Sequence, residues 1–253
     1  MGLVAWATRN IPRPWLHHIA RTAGWCISLF LRGKRYEDPI DGFHYRKLLS
    51  YGRIEKRENA LAPHCLSLER HRLIWLYLLH ELEISEQHYN VLHLAPESCL
   101  QRKLKALPRI HYVSADLESP WAEIHCDIQE MPFASNSFDL ILCNHVLEHI
   151  PDDRRAIREL FRVLAPNGVA LLLVPLDENR ETTLEDPTIN TDALREKYYG
   201  QRDHLRLYGR DYVQRLAEAG FKVSALDYAS QLSPKERERY CIRLADKLYV
   251  ARK

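Results

Sequence analysis

No two cysteines in this 253-residue sequence are spaced C-x2-C: Cys26, Cys65, Cys99, Cys126, Cys143 and Cys241 are scattered, three of them inside apolar runs. This removes the signature of a four-cysteine zinc knuckle or a disulfide scaffold, and buried thiols in a reducing cytoplasm become the simplest use. An excess of charge of one sign is missing as well. With 36 Lys+Arg against 34 Asp+Glu the formal charge is +2, so the chain carries no overall footprint of a nucleic-acid binder, and a small-molecule partner fits better. No long apolar run opens the chain. Its longest early run, 23–31, is about half of a membrane span and is followed by Arg32, Lys34 and Arg35, which argues against a cleaved export signal. Trp6 stands where a myristoyl signal on Gly2 wants Ser or Thr. Internal repeats and low-complexity tracts are absent too.

What is present changes character along the chain. Residues 14–32 set Trp15, Ile19, Trp25, Ile27, Leu29 and Phe30 among His17, His18 and Arg21. This amphipathic pattern fits a helix packed on the protein or one lying in a membrane interface. Residues 33–66 are polar and turn-rich without a helical period, and predict a compact irregular segment. Ser67 is a candidate N-cap for 68–82, apolar enough to be a largely buried helix. Then the pattern predicts strand 89–94, helix 98–106, strands 110–115, 123–126 and 138–143, helix 152–164 and strand 169–174, with Pro166-Asn167-Gly168 as stop and turn. Runs such as Leu140-Ile141-Leu142-Cys143 are apolar at every position, which marks strands covered on both faces, and alternation with helices implies a parallel sheet. Further on, 176–201 is long and charged, 210–219 is a helix closed by Gly220, and 221–228 can pair with 248–251. The expected organisation is an amphipathic helix in 1–32, a knuckle in 33–66 and an α/β domain in 67–253. That domain has a doubly wound, mostly parallel sheet with an antiparallel final strand, and a lid-like insertion at about 176–208.

Ligands of an open parallel sheet bind beyond the carboxyl ends of its strands, where the strand order reverses. The residues there are 93–98 after the first strand, Asp116 after the second, Asp127 after the third and 144–149 after the fourth. Asp116 can accept both hydroxyls of a ribose, Asp127 can accept an exocyclic amine, and Ile128 can pack on a base. Two carboxylates so placed describe a nucleoside site.

The segments themselves are specific. Asp127-Ile128-Gln129-Glu130-Met131-Pro132-Phe133, Asn136-Ser137-Phe138-Asp139-Leu140-Ile141, Asn144-His145-Val146-Leu147-Glu148-His149-Ile150-Pro151-Asp152 and Glu159-Leu160-Phe161-Arg162-Val163-Leu164-Ala165-Pro166-Asn167-Gly168 follow one another. In order and spacing they resemble the class I S-adenosylmethionine-dependent methyltransferases of Rossmann-like fold, of the methyltransferase type 11-like kind. The resemblance implies S-adenosylmethionine as methyl donor, Asp116 at its ribose, Asp127 with Ile128 at its adenine and Asn144 beside its methionine part, with Leu117 and His145 as further cofactor contacts.

The first loop departs from that pattern. Such enzymes resemble D-x-G-x-G-x-G there, whereas His93, Ala95, Glu97 and Cys99 hold the matching places, without the freedom of approach that glycine gives. His93-Leu94-Ala95-Pro96-Glu97 is similar to a subgroup that also resembles this chain in Ser67-Leu68-Glu69-Arg70-His71-Arg72 and in Gln201-Arg202-Asp203-His204-Leu205-Arg206-Leu207-Tyr208-Gly209. The likeness implies cofactor contacts from His93, Ala95 and Glu97. The Glu97 carboxylate suits the donor's ammonium group, or equally a place as a negative charge at the start of a helix. The subgroup also resembles a zinc ribbon of two C-P-x-C pairs, where this chain has Asp38-Pro39-Ile40-Asp41 and Ala62-Pro63-His64-Cys65. That is a poor tetrahedral ligand set even with His64, so the expectation is a metal-free knuckle held by Tyr36, Phe43, Tyr45 and Leu48, shaping one wall of the acceptor site.

Methyl transfer needs chiefly alignment of donor and acceptor, and a catalytic base is optional. His145 and His204 are the candidates, with His149 and Tyr208 behind them. His149 lies in a stretch shared by enzymes of different acceptors, and His145 could simply bond the loop backbone. Arg202, His204, Arg206 and Arg210 lie in the insertion and could meet an anionic acceptor. The expected function is methyl transfer to a small molecule or an envelope precursor in the cytoplasm, with no metal and no nucleic acid. Residues 14–32 offer peripheral contact with the inner membrane face. The alternative is a methyltransferase fold kept as a binding or scaffolding module. A nicotinamide oxidoreductase lacks its G-x-G-x-x-G.

Overall fold

The computed structural model describes residues 13–52 and 56–253, with the side chains of 13–18 outside the description. Gly2 and Trp6, and the side chains of Trp15, His17 and His18, lie outside the described residues. The elements in chain order are α1 Arg13–Phe30, β1 Arg32–Glu37, β2 His44–Tyr45, β3 Leu49–Tyr51, β4 Arg57–Leu61, α2 Glu69–His80, β5 Tyr89–Leu94, α3 Ser98–Lys105, β6 Ile110–Asp116, β7 Ile124–His125 and β8 Phe138–Asn144. A 3-10 turn Leu147–His149 follows, then α4 Asp153–Val163, β9 Leu164–Leu173, α5 Asp192–Tyr199, α6 Tyr212–Ala217, β10 Lys222–Leu226, α7 Tyr228–Gln231, α8 Pro234–Tyr240 and β11 Leu248–Arg252. Contacts divide the chain into two compact units, one of Met1–Ser85, Glu97–Ala106 and Asp227–Asp246, the other of Glu86–Pro96, Leu107–Leu226 and Lys247–Lys253. The division does not follow the expected boundary at 66/67, because α2, α3, α7 and α8 group with the N-terminal hairpins.

In the first unit β1 pairs with β2 and β3 with β4, both antiparallel. Tyr36, Tyr45, Leu48 and Ala62 form its small core, with Phe43 packed against it. Ser67 does not cap α2 as expected. Its hydroxyl donates to Asp38 Oδ2 at 2.5 Å, and Leu68 takes the capping position with its N–H donating to His71 Nδ1 at 3.1 Å. Arg72, fully buried in α2, donates to the carbonyls of Ala60, Ser67, Tyr240 and Cys241 and so ties the hairpins and the α8 end to one helix. Helix α1 packs through its small residues, Gly24 and Ser28, and a Cβ on Gly24 would lie 2.2 Å from the Pro63 carbonyl oxygen. Its large side chains Ile19, Trp25, Ile27, Leu29 and Phe30 stay exposed. Among the described residues no helix is long and apolar enough to cross a membrane.

The second unit is built on a seven-stranded sheet of order β10-β11-β9-β8-β5-β6-β7. Strands β5 to β9 run parallel, and β11 and β10 are antiparallel additions. The chain lays β6 and β7 on one side of β5 and β8 and β9 on the other, so the strand order reverses between β5 and β8. Leu140, Ile141, Leu142, Cys143, Ala170, Leu171 and Leu172 are all buried, as strands covered on both faces require. Strand β9 begins earlier than expected, at Leu164, because the Pro166-Asn167-Gly168 turn is absorbed as a bulge. The pairing slips between Phe138↔Leu164 and Leu140↔Val169, and Asn167 takes a left-handed φ of 64°. Within the insertion, Leu176 bridges to Tyr208 and Leu184 to Leu207, and α5 starts from Thr191, whose Oγ1 accepts from Leu194 N–H at 3.3 Å.

Candidate active site

The carboxyl ends of β5, β6 and β8 lie along one edge of the second unit's sheet. At the end of β5, His93 is buried and its Nδ1 lies 2.9 Å from the Tyr112 hydroxyl. Ala95 follows with a left-handed φ of 47°, its N–H donating to the Ala115 carbonyl at 3.0 Å. The loop therefore keeps the turn that glycine makes freely, at a cost of about 1–2 kcal/mol for a residue with a Cβ. Between Pro96 and Glu97 the chain passes to the first unit. There Glu97 holds the N-cap position of α3 without a side-chain cap bond, and its Oε1 stands 3.8 Å from His71 Nε2.

At the end of β6, Asp116 Oδ1 accepts the N–H groups of Glu118 at 2.8 Å and Ser119 at 2.6 Å, which fixes the carboxylate. Leu117 beside it is 64% exposed. In the loop after β7, Asp127 accepts from the Gln129 backbone at 2.8 Å and from its side-chain amide at 3.0 Å. The Gln129 side-chain oxygen Oε1 in turn accepts Asp152 N–H at 3.1 Å, so Gln129 links this loop to the start of α4. Ile128 is buried in the core, so the face expected to pack on a base is largely spent on the protein's own interior.

At the end of β8, Asn144 is buried, and neither its amide nitrogen nor its amide oxygen has a hydrogen-bond partner. His145 then adopts a left-handed φ of 54°, held by its N–H on the Leu173 carbonyl at 2.7 Å. Its Nδ1 lies 3.3 Å from Oε1 of Glu148, a carboxylate sealed from solvent. His204 reaches the same place from the insertion: its ring lies perpendicular to that of His149 at 4.8 Å between centroids, and burial pushes its pKa down. The structure therefore groups His145, His149 and His204, and sequence reasoning missed Glu148 among them. The signal was there, since places i, i+3 and i+4 of a tight turn share a face.

Arg206 does not face an acceptor. It is buried, and its guanidinium donates to the carbonyls of Leu147 at 2.8 Å, Ile150 at 2.6 Å and Pro151 at 3.0 Å and to Glu185 Oε1 at 2.6 Å. Arg215 bridges Asp153 at 2.8 Å and Glu185 at 2.9 Å, and the Tyr208 hydroxyl donates to Asp153 at 2.7 Å, which completes a buried network. Arg202 pairs with Glu196 and Arg210 with Glu181 on the surface. The anion-facing role considered for Arg206 is thereby corrected.

In the first unit a second group of ligand-type atoms, on Asp38, Asp41 and Cys65, lies within 4.8 Å. Hydrogen bonds fill it. Asp38 accepts from Ile40 N–H at 2.9 Å and from the Cys65 thiol at 2.8 Å, burial pushes both their pKa values up, and Asp41 engages His64 at 2.6 Å.

Residues 87–172 match a family model described as a methyltransferase domain. That stretch is similar to a methyltransferase domain. Its relatives include a demethylmenaquinone methyltransferase of Listeria welshimeri, 42% identical over 45 residues, or 18% of this chain and 19% of that one. A ubiquinone biosynthesis O-methyltransferase of Psychrobacter cryohalolentis is 26% identical over 134 residues, 53% of this chain and 42% of that one. The matches thus span less than half the length of these relatives. Among solved structures, the 1,6-didemethyltoxoflavin-N1-methyltransferase of Burkholderia thailandensis, with S-adenosylhomocysteine bound, is 17% identical, covers 70% of this chain and 75% of its own, and has a TM-score of 0.44.

Two predictions follow from the network that carries the insertion. Arg206→Leu leaves buried carbonyls and carboxylates without their donor and is expected to cost about 3–5 kcal/mol, measured by urea unfolding; a loss under about 1 kcal/mol contradicts the role. Burial alone would raise the pKa of Glu185, but hydrogen bonds from Arg206 and Arg215 outweigh it and hold the carboxyl below its ordinary value. Its stabilisation is therefore complete above an unfolded value of about 4.3 and is lost as pH falls through the folded one. Thermal melts from about pH 5 down to about pH 3 should show wild type losing more than Glu185→Gln, and equal losses would exclude Glu185.

Proposed function

We propose that the chain binds S-adenosylmethionine along this sheet edge and transfers its methyl group to a small-molecule or envelope-precursor acceptor. Asn144 carries the reading. A buried amide with both polar atoms unpaired is costly, and it stands where the strand order reverses. A ligand end that both donates and accepts, as an amino acid does, would satisfy it. Asp116, held through Oδ1, keeps Oδ2 for a ribose hydroxyl, and Ala95 preserves the turn that brings backbone close to the donor. His93 supports that turn from beneath, and Asp127 with Ile128 borders the base end. Bound donor supplies an electrophilic methyl group, and the protein's part is alignment. The half-buried His145 ring, braced by Glu148, is placed to take the acceptor's proton.

Titration calorimetry with S-adenosylhomocysteine is expected to show one site. Asn144→Leu should lower that affinity at least about tenfold while leaving the melting temperature unchanged or higher, since an apolar replacement removes unpaired polar atoms. Absence of any heat from wild type at millimolar ligand removes the reading.

The acceptor class bears on helix α1. Its exposed Trp25, Ile27, Leu29 and Phe30 are followed in the chain by Arg32, Lys34 and Arg35, which with Lys235, Arg239 and Glu238 line a hollow of about 640 Å³. An apolar face beside a basic one suits the interface of an anionic membrane, with about 1 kcal/mol from each basic residue near the surface. A membrane-borne acceptor fits the quinone names of the two curated relatives. Co-sedimentation with phosphatidylglycerol vesicles should fall severalfold in Trp25→Ser/Phe30→Ser, and wild type that stays in the supernatant at low salt refutes the contact.

A further inference from the structure

Glu148, His149 and His204 each offer a metal-ligating atom within 4.8 Å of the other two. Glu148 and His149 are neighbours on the 3-10 turn. His204 is brought to them by the next residue, Leu205, whose N–H donates to the Glu148 carbonyl at 2.8 Å, and by the Arg206 clamp on the same turn. Three observations mark this as more than a polar cluster. The Glu148 carboxylate is 1% exposed, and although His145 Nδ1 stands 3.3 Å from Oε1 neither oxygen accepts a hydrogen bond, a state that a buried anion keeps only beside a counter-charge. His204 Nδ1 lies 3.1 Å from the Tyr199 carbonyl, which assigns it the proton and leaves the lone pair on Nε2, a buried atom without a partner. His149 Nδ1 faces the Asp203 carbonyl at 3.2 Å and its carboxylate at 3.4 Å, so its lone pair is on Nε2 as well. An acceptor on the far nitrogen is how ligating imidazoles are oriented.

We propose that Glu148, His149 and His204 bind one divalent transition-metal ion whose remaining coordination positions take a hydroxyl acceptor. Two imidazoles and one carboxylate suit Zn2+, Fe2+, Co2+ or Mn2+ better than Ca2+ or Mg2+, whose sites are built from oxygen. A bare ion is smaller than a water molecule, so oxygens that exclude water can still meet it. The acceptor half rests on the methyl-transfer reading. Coordination lowers the pKa of the hydroxyl, which releases its proton to solvent past half-exposed His145. The oxygen lone pair then bonds to the donor's methyl carbon as the carbon–sulfur bond breaks, its electron pair staying on sulfur.

The test uses untagged full-length protein stripped with chelator, dialysed and titrated with Co2+, read by visible absorption and by elemental stoichiometry. One ion per chain with nitrogen and oxygen ligation is expected. His204→Ala and Glu148→Gln should weaken it more than about 100-fold, beyond the 10–100-fold that loss of an outer partner costs. If His204→Ala fails to fold, His149→Ala, at a half-exposed position, gives the same readout beside a thermal melt. Cys65→Ser and Asp41→Asn, in the other ligand-type group, should leave binding unchanged. Folded wild type that retains no Co2+ at micromolar concentration overturns the proposal, as does a thiolate-to-cobalt band that disappears in Cys65→Ser. Ion binding is read without donor or acceptor, so Co2+ binding without S-adenosylhomocysteine heat leaves the metal site standing and removes methyl transfer. The converse result removes the metal alone. If both bind, a catechol as hydroxyl probe should perturb the Co2+ spectrum, and an unchanged spectrum removes the acceptor half.

Discussion

A single guanidinium holds the candidate site in shape. The loop after β8 turns through 147–151 with carbonyls that the short 3-10 turn satisfies only in part, and a buried carbonyl without a donor is costly. Arg206 supplies donors to three of them and spends the rest on Glu185. A buried charge is tolerable only when its donors are matched, so Asp153, Arg215 and Tyr208 are drawn into the same network. The consequence is positional. With Arg206 fixed to the loop from one side and Leu205 N–H on the Glu148 carbonyl, His204 is held beside Glu148 and His149, and this end of the insertion is anchored on the loop.

This explains what the sequence could and could not convey. The parallel sheet was legible because burial on both faces forces continuous apolar strands, and 89–94, 110–115 and 138–143 nearly coincide with β5, β6 and β8. The carboxylates at strand ends were legible because topology alone puts them on one edge. The role of Arg206 was not, because its partners are backbone carbonyls and a glutamate some 20 to 60 residues away, and carbonyl acceptors leave no trace in side-chain identity. A charged insertion then reads as solvent-facing. Ser67 misled for a related reason: a hydroxyl before an apolar run satisfies the capping pattern, but the buried Asp38 oxygen is the stronger acceptor. Helix α1 was amphipathic as expected, but its packed side is made of Gly24 and Ser28 because only small residues admit the Pro63 carbonyl.

The first loop shows how far backbone geometry can outlast the residues that usually make it. Ala95 and His145 end adjacent strands, and both are left-handed without being glycine. Each would be strained alone. Each is held by its own N–H on the carbonyl of a neighbouring strand, Ala115 for one and Leu173 for the other, so the sheet itself offsets the strain. At 95, alanine in place of glycine therefore adds one methyl group to a turn that the sheet holds left-handed.

Two buried carboxylates with similar neighbours behave differently, and the difference separates scaffold from site. Asp38 sits beside a thiol, an acid and a histidine, yet its oxygens accept from a backbone N–H, a thiol and a hydroxyl, and Arg72 lies close enough to oppose the rise in pKa that burial imposes. Hydrogen bonds there engage the atoms that coordination would use. Glu148 has the same burial and three imidazoles at hand, with His145 Nδ1 3.3 Å from Oε1, yet neither oxygen accepts a hydrogen bond. Folding alone gives no reason to bury a carboxylate and then leave both oxygens bare, since a leucine would pack there at lower cost. The unmet valence of Glu148, together with that of Asn144 four residues earlier on the same edge, is what marks this edge as built for something other than its own stability.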